Sequence, residues 1–130
     1  MAKWVSQQFL DGGFTAFKAN VNKQILLKAY SAGDTYATVN ATNNIAEVAV
    51  DTNDFVLSDG ANSSRVMTAA AQNGVTATAD SGASPDLHIA FVDTVNSVVY
   101  WVTDETSNQV VTNGNTVNFP SLTYTKTQPV

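Results

Sequence analysis

The sequence predicts a mainly β domain: an antiparallel β-sandwich or barrel-like fold built from hairpins, with a short N-terminal helix or helical segment. Three observations lead there. Charged residues make up only 13% of the 130 residues, about half the usual share. Thr, Ser, Asn, Ala and Val stand in their place, a mixture suited to solvated strand faces and turns rather than to helices, where Glu and Lys dominate. Apolar residues reach 44%, so the balance is the opposite of the low hydrophobicity and high charge that keep a chain disordered. Finally, short apolar runs alternate with Gly-, Asn-, Asp- and Pro-bearing turns at intervals of about 8–12 residues, as in sandwiches and barrels. The length suits one core, which gives a single domain over 1–130: an N-terminal helical or docking segment (1–22), a β core (23–124) and a tail (125–130).

The first segment carries Leu10, Phe14, Phe17 and Val21 at helical spacing, with Ser6 placed to cap the start. Gly12-Gly13 falls inside that pattern and costs up to about 1 kcal/mol per glycine relative to alanine, so the helix is expected to be short or interrupted. Strand signals then take over. Residues 24–30 form an apolar run ended by Ser31-Ala32-Gly33-Asp34, and 35–40 form a weaker strand candidate. Ile45, Val48 and Val50 leave strand and short helix both open for 45–50, and Phe55-Val56-Leu57 is a short buried run ended by Ser58-Asp59-Gly60. Asn73-Gly74 is the strongest short hairpin signal, because a type I′ turn needs positive φ at both central residues; it predicts that 65–72 and 75–79 pair. Residues 87–92 and 97–103 flank the reversal Asp93-Thr94-Val95-Asn96, and apolar side chains at successive positions predict burial from two sides. Successive residues alternate faces, which puts Tyr100 and Trp101 on opposite sides of that strand. A third hairpin is expected around Asn113-Gly114-Asn115, joining 109–112 to 116–124. Pro120 marks an edge or a bend in its second arm. Residues 80–86 read as one exposed loop.

Charge and composition exclude several functions. The net charge is −5 with six basic residues, too few to neutralise a run of phosphates, so no nucleic-acid partner is expected. The charges are uneven: Lys3, Lys18, Lys23 and Lys28 meet only Asp11 in the first 28 residues, whereas Arg65 and Lys126 meet ten acids in the rest. Such an asymmetry is ordinary on a solvated surface, and its sharper reading is an N-terminal docking segment for an acidic surface. The chain has no cysteine, hence no disulfide or thiolate chemistry. The start resembles no signal peptide, and no apolar run approaches the ~20 residues of a membrane helix. A soluble protein made in the cytoplasm, without a membrane partner, is expected.

Catalytic templates fail one after another. His88 is the single histidine; Asp86 shares its strand face, but no Gly-x-Ser-x-Gly elbow accompanies it, and a packed or hydrogen-bonded role is expected. Asp51, Asn53, Asp54 and Asp59 form the densest oxygen cluster, yet Phe55 and Val56 break the spacing of a calcium loop, so turn formation explains it better. No glycine pattern cradles phosphate. No enzyme and no cofactor are expected.

Four stretches carry a resemblance: Ala70-Ala71-Gln72-Asn73-Gly74-Val75, then residues 88–97 (HIAFVDTVNS), Val99-Tyr100-Trp101-Val102-Thr103, and residues 113–120 (NGNTVNFP). Together they resemble a family of small virion-associated proteins encoded among the structural genes of tailed phages. The likeness is strong over the C-terminal half and holds only in outline for the N-terminal segment. The sequence departs from the family pattern at Gly12-Gly13 and by the added length of Ser84-Pro85-Asp86-Leu87. The resemblance implies a structural role in the virion. Within that role we expect a protein made in the host cytoplasm that decorates and cements the capsid surface, with the major capsid protein and copies of itself as partners. A closed trimer on a local threefold axis satisfies the symmetry. A tail, neck or fibre component with a receptor or adaptor role is the alternative, and a small-ligand binder or enzyme stands further off. Trp4, Phe9, Phe14 and Phe17, with Lys18 and Lys23, are the expected partner-contacting residues if the N-terminal segment docks outward rather than folding back.

Overall fold

A computed structural model describes residues 3–105 and 107–129. Met1 and Ala2 of the N-terminal segment and Val130 of the expected tail lie outside the described residues.

Helix α1 runs unbroken over Gln7–Asn20, so the interruption expected at Gly12-Gly13 does not occur. Its start is capped as the sequence suggested, Phe9 N–H donating to Ser6 Oγ at 3.1 Å. Leu10, Phe14 and Phe17 are buried along one stripe, and that burial outweighs the roughly 1 kcal/mol each glycine costs. A Cβ at Gly13 would come within 2.5 Å of Lys126 Nζ, the movable end of a long side chain, whose ammonium lies 4.5 Å from the centroid of the Phe14 ring.

Among the described residues nine strands form three antiparallel sheets. A four-stranded sheet has the order β2 (Asn44–Ala49), β1 (Lys23–Leu27), β6 (His88–Asp93), β7 (Val98–Asp104). A three-stranded sheet has the order β3 (Phe55–Asp59), β4 (Arg65–Ala69), β9 (Leu122–Lys126), and β5 (Gln72–Thr76) pairs with β8 (Thr116–Phe119). The fold is mainly β and sandwich-like, as composition and turn spacing predicted. One core gathers side chains from α1 and all three sheets, including Phe14, Phe17, Leu26, Phe55, Met67, Phe91 and Phe119.

The four-stranded sheet is buried on its second face as well, where Ile25, Leu27, Ala90 and Val92 pack beneath Val39. This explains the apolar residues at successive positions of β1 and β6. The cover is not the strand expected at 35–40. Those residues enter a helical turn, with the π-type segment Thr38–Thr42 at its end. Thr35 Oγ1 accepts the Thr38 N–H at 3.2 Å, a local cap that competes with strand pairing, and the turn lays Val39 and Tyr36 against the sheet.

Two of the three expected hairpins are wired differently. β4 pairs with β3 and β9, and β5 pairs with β8, so Asn73-Gly74 joins no hairpin. It lies inside β5 at a register shift between Gln72 and Val75, with Gly74 at φ +73° and its N–H donating to Asn118 Oδ1 at 2.8 Å. The positive φ is there, in a bulge instead of a turn. Asn113-Gly114 does turn, but 109–112 form no strand, and the chain breaks at Pro120-Ser121 into two strands of different sheets. The expected tail is also partly structured: β9 extends to Lys126. Gln128 exchanges two hydrogen bonds with the Val5 backbone, at 2.9 and 3.0 Å, which ties the chain's beginning to its end.

The β6–β7 hairpin forms as predicted. Its reversal is held by Asp93, whose carboxylate accepts the N–H groups of Val95 and Asn96 and the side-chain amide of Asn96. These bonds, the Asn96 side chain foremost, hold the Asp93 carboxyl below its ordinary pKa in spite of burial.

Candidate functional site

One irregularity in β7 organises the surface. Phe91 stands opposite Trp101 and Val92 opposite Val99, so Tyr100 is an extra residue in the pairing. A bulge sets two residues against one and restarts the alternation. Tyr100 and Trp101 therefore share a face, which corrects the expectation of opposite faces: both pack against Phe17, at centroid distances of 5.8 and 6.3 Å, while Val99 and Val102 line the other side.

This pair forms one wall of a groove of about 470 Å³, bordered also by Phe14 of α1 and by Met67, Tyr124 and Lys126 of the second sheet. The volume falls within the range of small-molecule and peptide-side-chain sites. Trp101 stacks on Phe91 at 5.0 Å and meets Tyr124 edge-on at 5.6 Å, so its half-buried ring is held in a fixed orientation. The groove is aromatic, with the Lys126 ammonium as its charged group. It lies beside β7, the last strand of its sheet.

The expected partner-contacting residues separate into two groups. Trp4 and Phe9 stand 70% and 73% exposed. Phe14 and Phe17 are buried in this chain's own core, because α1 folds back onto the β3–β4 sheet; they cannot serve as outward anchors. Lys23 is engaged within the chain, 2.9 Å from Glu47 Oε2 and donating to Asn40 Oδ1 at 3.2 Å. Burial pushes the Glu47 carboxyl up, but hydrogen bonds from Lys23 and Asn44 and the Lys23 charge bring it below its ordinary value. Lys18 sits half-buried in the last turn of α1, where its carbonyl accepts the Thr52 hydroxyl at 2.8 Å. Asp11 pairs with Arg65 at 2.8 Å and Asp59 with the same guanidinium at 2.7 Å; the Asp11 bond leads in holding the arginine charged. This bridge fastens the first turns of α1 to the β3–β4 hairpin.

The oxygen cluster at 51–54 is a turn: Asp51 accepts the Asn53 N–H, Asp54 accepts the Asp51 N–H, and Asp54 also accepts from Gln72. His88 is packed, its ring 5.7 Å from Tyr30 and its Nδ1 3.0 Å from the Asp86 carbonyl oxygen. Met67, Tyr124 and Lys126 were missed as groove residues because they reach it only through the pairing of β4 with β9, which are more than 50 positions apart.

No family model, curated protein or solved structure matches the chain. Among the described residues no helix is long and apolar enough to cross a membrane.

Proposed function

We propose that the chain is a non-catalytic structural protein of a tailed-phage particle that decorates and cements the capsid, binding the major capsid protein and copies of itself. The observation that carries this reading is the exposure of Trp4 and Phe9 on a chain that otherwise buries a full aromatic core. Large exposed aromatics are characteristic anchors of interfaces. Trp4 lies on an arm whose next residue, Val5, is clamped by Gln128, so less ordering entropy is lost on docking. The turn-and-strand resemblance to virion proteins supports the same reading. Low surface charge does so too, because fewer ions must be desolvated at repeated contacts.

The test is copy number and localisation in purified particles, with a Trp4→Ala/Phe9→Ala double variant alongside. Decoration requires many copies spread over the capsid, and a folded double variant that no longer binds it. A handful of copies at one vertex would rule the reading out.

A second reading, a tail, neck or fibre component that contacts a receptor, draws on the aromatic groove. The exposed Tyr124 ring, edge-on to the half-buried Trp101, offers a stacking surface for a sugar ring. Host glycans should then change Trp101 fluorescence in the Trp4→Ala background, and a Trp101→Leu variant should lose binding; an unresponsive groove sinks this alternative.

A further inference from the structure

We propose that Asp86, His88 and Asp104 form a binding site for a divalent transition-metal ion of the zinc type. One ligating atom from each of the three lies within 4.8 Å of the other two. The bulge at Tyr100 creates this meeting. Asp93 pairs with Val98, and an unbulged ladder from there would set His88 opposite Thr103; the extra residue sets it opposite Asp104 instead. A shift of one residue also turns Asp104 onto the face that His88 occupies. Asp86 lies two positions before His88, just outside β6, with its Oδ1 3.9 Å from Nδ1, so its exposed carboxylate has to swing round toward Nε2 to share an ion there.

The imidazole is prepared for a ligand. A carbonyl oxygen can only accept, so the contact of His88 Nδ1 with the Asp86 carbonyl, at 3.0 Å, places the ring hydrogen on Nδ1 and leaves the Nε2 lone pair free. Metal-bound histidines are commonly oriented by this outer hydrogen bond. Nε2 lies 3.8 Å from Asp104 Oδ1, too far for a hydrogen bond. Two ligands each about 2.0–2.2 Å from one tetrahedral ion stand roughly 3.4 Å apart, so the gap is close to the spacing an ion imposes. The ring is fixed, its side chain 14% exposed, whereas the Asp86 and Asp104 side chains are 64% and 66% exposed and can turn the remaining distance. One imidazole nitrogen and two carboxylates suit zinc, with water completing the shell. The bound ion would tie the loop before β6 to the end of β7.

The experiment titrates ZnCl2 into the chelator-treated full chain at pH 7.5 by calorimetry, following the ring Cε1–H signal of the single histidine by NMR. Wild type should bind one ion per chain, shift that signal and unfold at a higher temperature with excess zinc. Asp104→Asn and Asp86→Asn, both changed at exposed side chains, should keep the far-UV spectrum of wild type and lose affinity at least about tenfold. His88→Gln should abolish binding, and if it fails to fold, the two aspartate variants decide alone. Absence of saturable one-to-one binding, or equal affinity in wild type and both aspartate variants, would overturn the site.

Discussion

Replacing Phe17 by Ala should cost the isolated chain about 3–5 kcal/mol, the range for deleting a buried phenylalanine and leaving part of its volume empty. The structure places it toward the upper end. Phe17 is 5% exposed and its ring meets Phe55 edge-on at 4.9 Å and Phe91 at 5.6 Å, besides Tyr100 and Trp101. Aromatic pairs of this kind add about 0.5–1.5 kcal/mol beyond buried area. Domains of this size have about 5–15 kcal/mol in total, and each kcal/mol moves the midpoint by roughly 3–5 °C. A melting temperature lower by about 12–25 °C follows. Trp4→Ala, by contrast, should stay within about 0.5 kcal/mol, as surface changes do. The assay is urea unfolding followed by far-UV dichroism and by tryptophan fluorescence. The chain has two tryptophans, so Trp4→Ala leaves Trp101, stacked on Phe91, as the sole tertiary reporter. A Phe17→Ala chain within about 1 kcal/mol of wild type, or a Trp4→Ala chain losing more than about 2 kcal/mol, would refute the division of the N-terminal aromatics into core and surface.

Gly12→Ala should stabilise by about 0.8–1 kcal/mol, since the added Cβ meets nothing within 4 Å in mid-helix; an unchanged urea midpoint would contradict a continuous α1. Gly74→Ala should destabilise by about 1–2 kcal/mol, because φ +73° is unfavourable to an L side chain even with open space around it, and a neutral result would argue against the bulge. Asp93, with a pKa lowered in the fold by its turn bonds, contributes stability that is full above the unfolded value of about 3.9 and lost as pH falls through the folded value. Melting temperatures of wild type should therefore fall from about pH 4 downward, and Asp93→Asn should start lower at pH 7 and lose part of that acid dependence; parallel curves would show the turn bonds to be unimportant.

Local chemistry was enough to read some elements from the sequence. Ser6 ahead of the Leu10, Phe14, Phe17 stripe marked α1, and the Asp93–Asn96 reversal between two apolar arms marked β6 and β7, because cap, stripe and turn all lie within a few residues. The β class itself followed from composition. Asn73-Gly74 shows where such reading stops: the dipeptide supplies positive φ whether the chain turns back or bulges, and only the partner, β8 here, decides which. The same holds at Tyr100. Alternation predicts opposite faces for Tyr100 and Trp101, and a single inserted residue in the pairing reverses that. It thereby builds the aromatic groove on one face and brings Asp104 to His88 on the other. The sequence by itself determined the β class, the cap and apolar stripe of α1, the β6–β7 hairpin with its Asp93 reversal, and that an aromatic-rich core must form. Tertiary structure alone decided which strands pair, where the register slips and which aromatics remain in water, because these depend on contacts between residues distant in the chain, whose loop-closure entropy and packing no local pattern encodes.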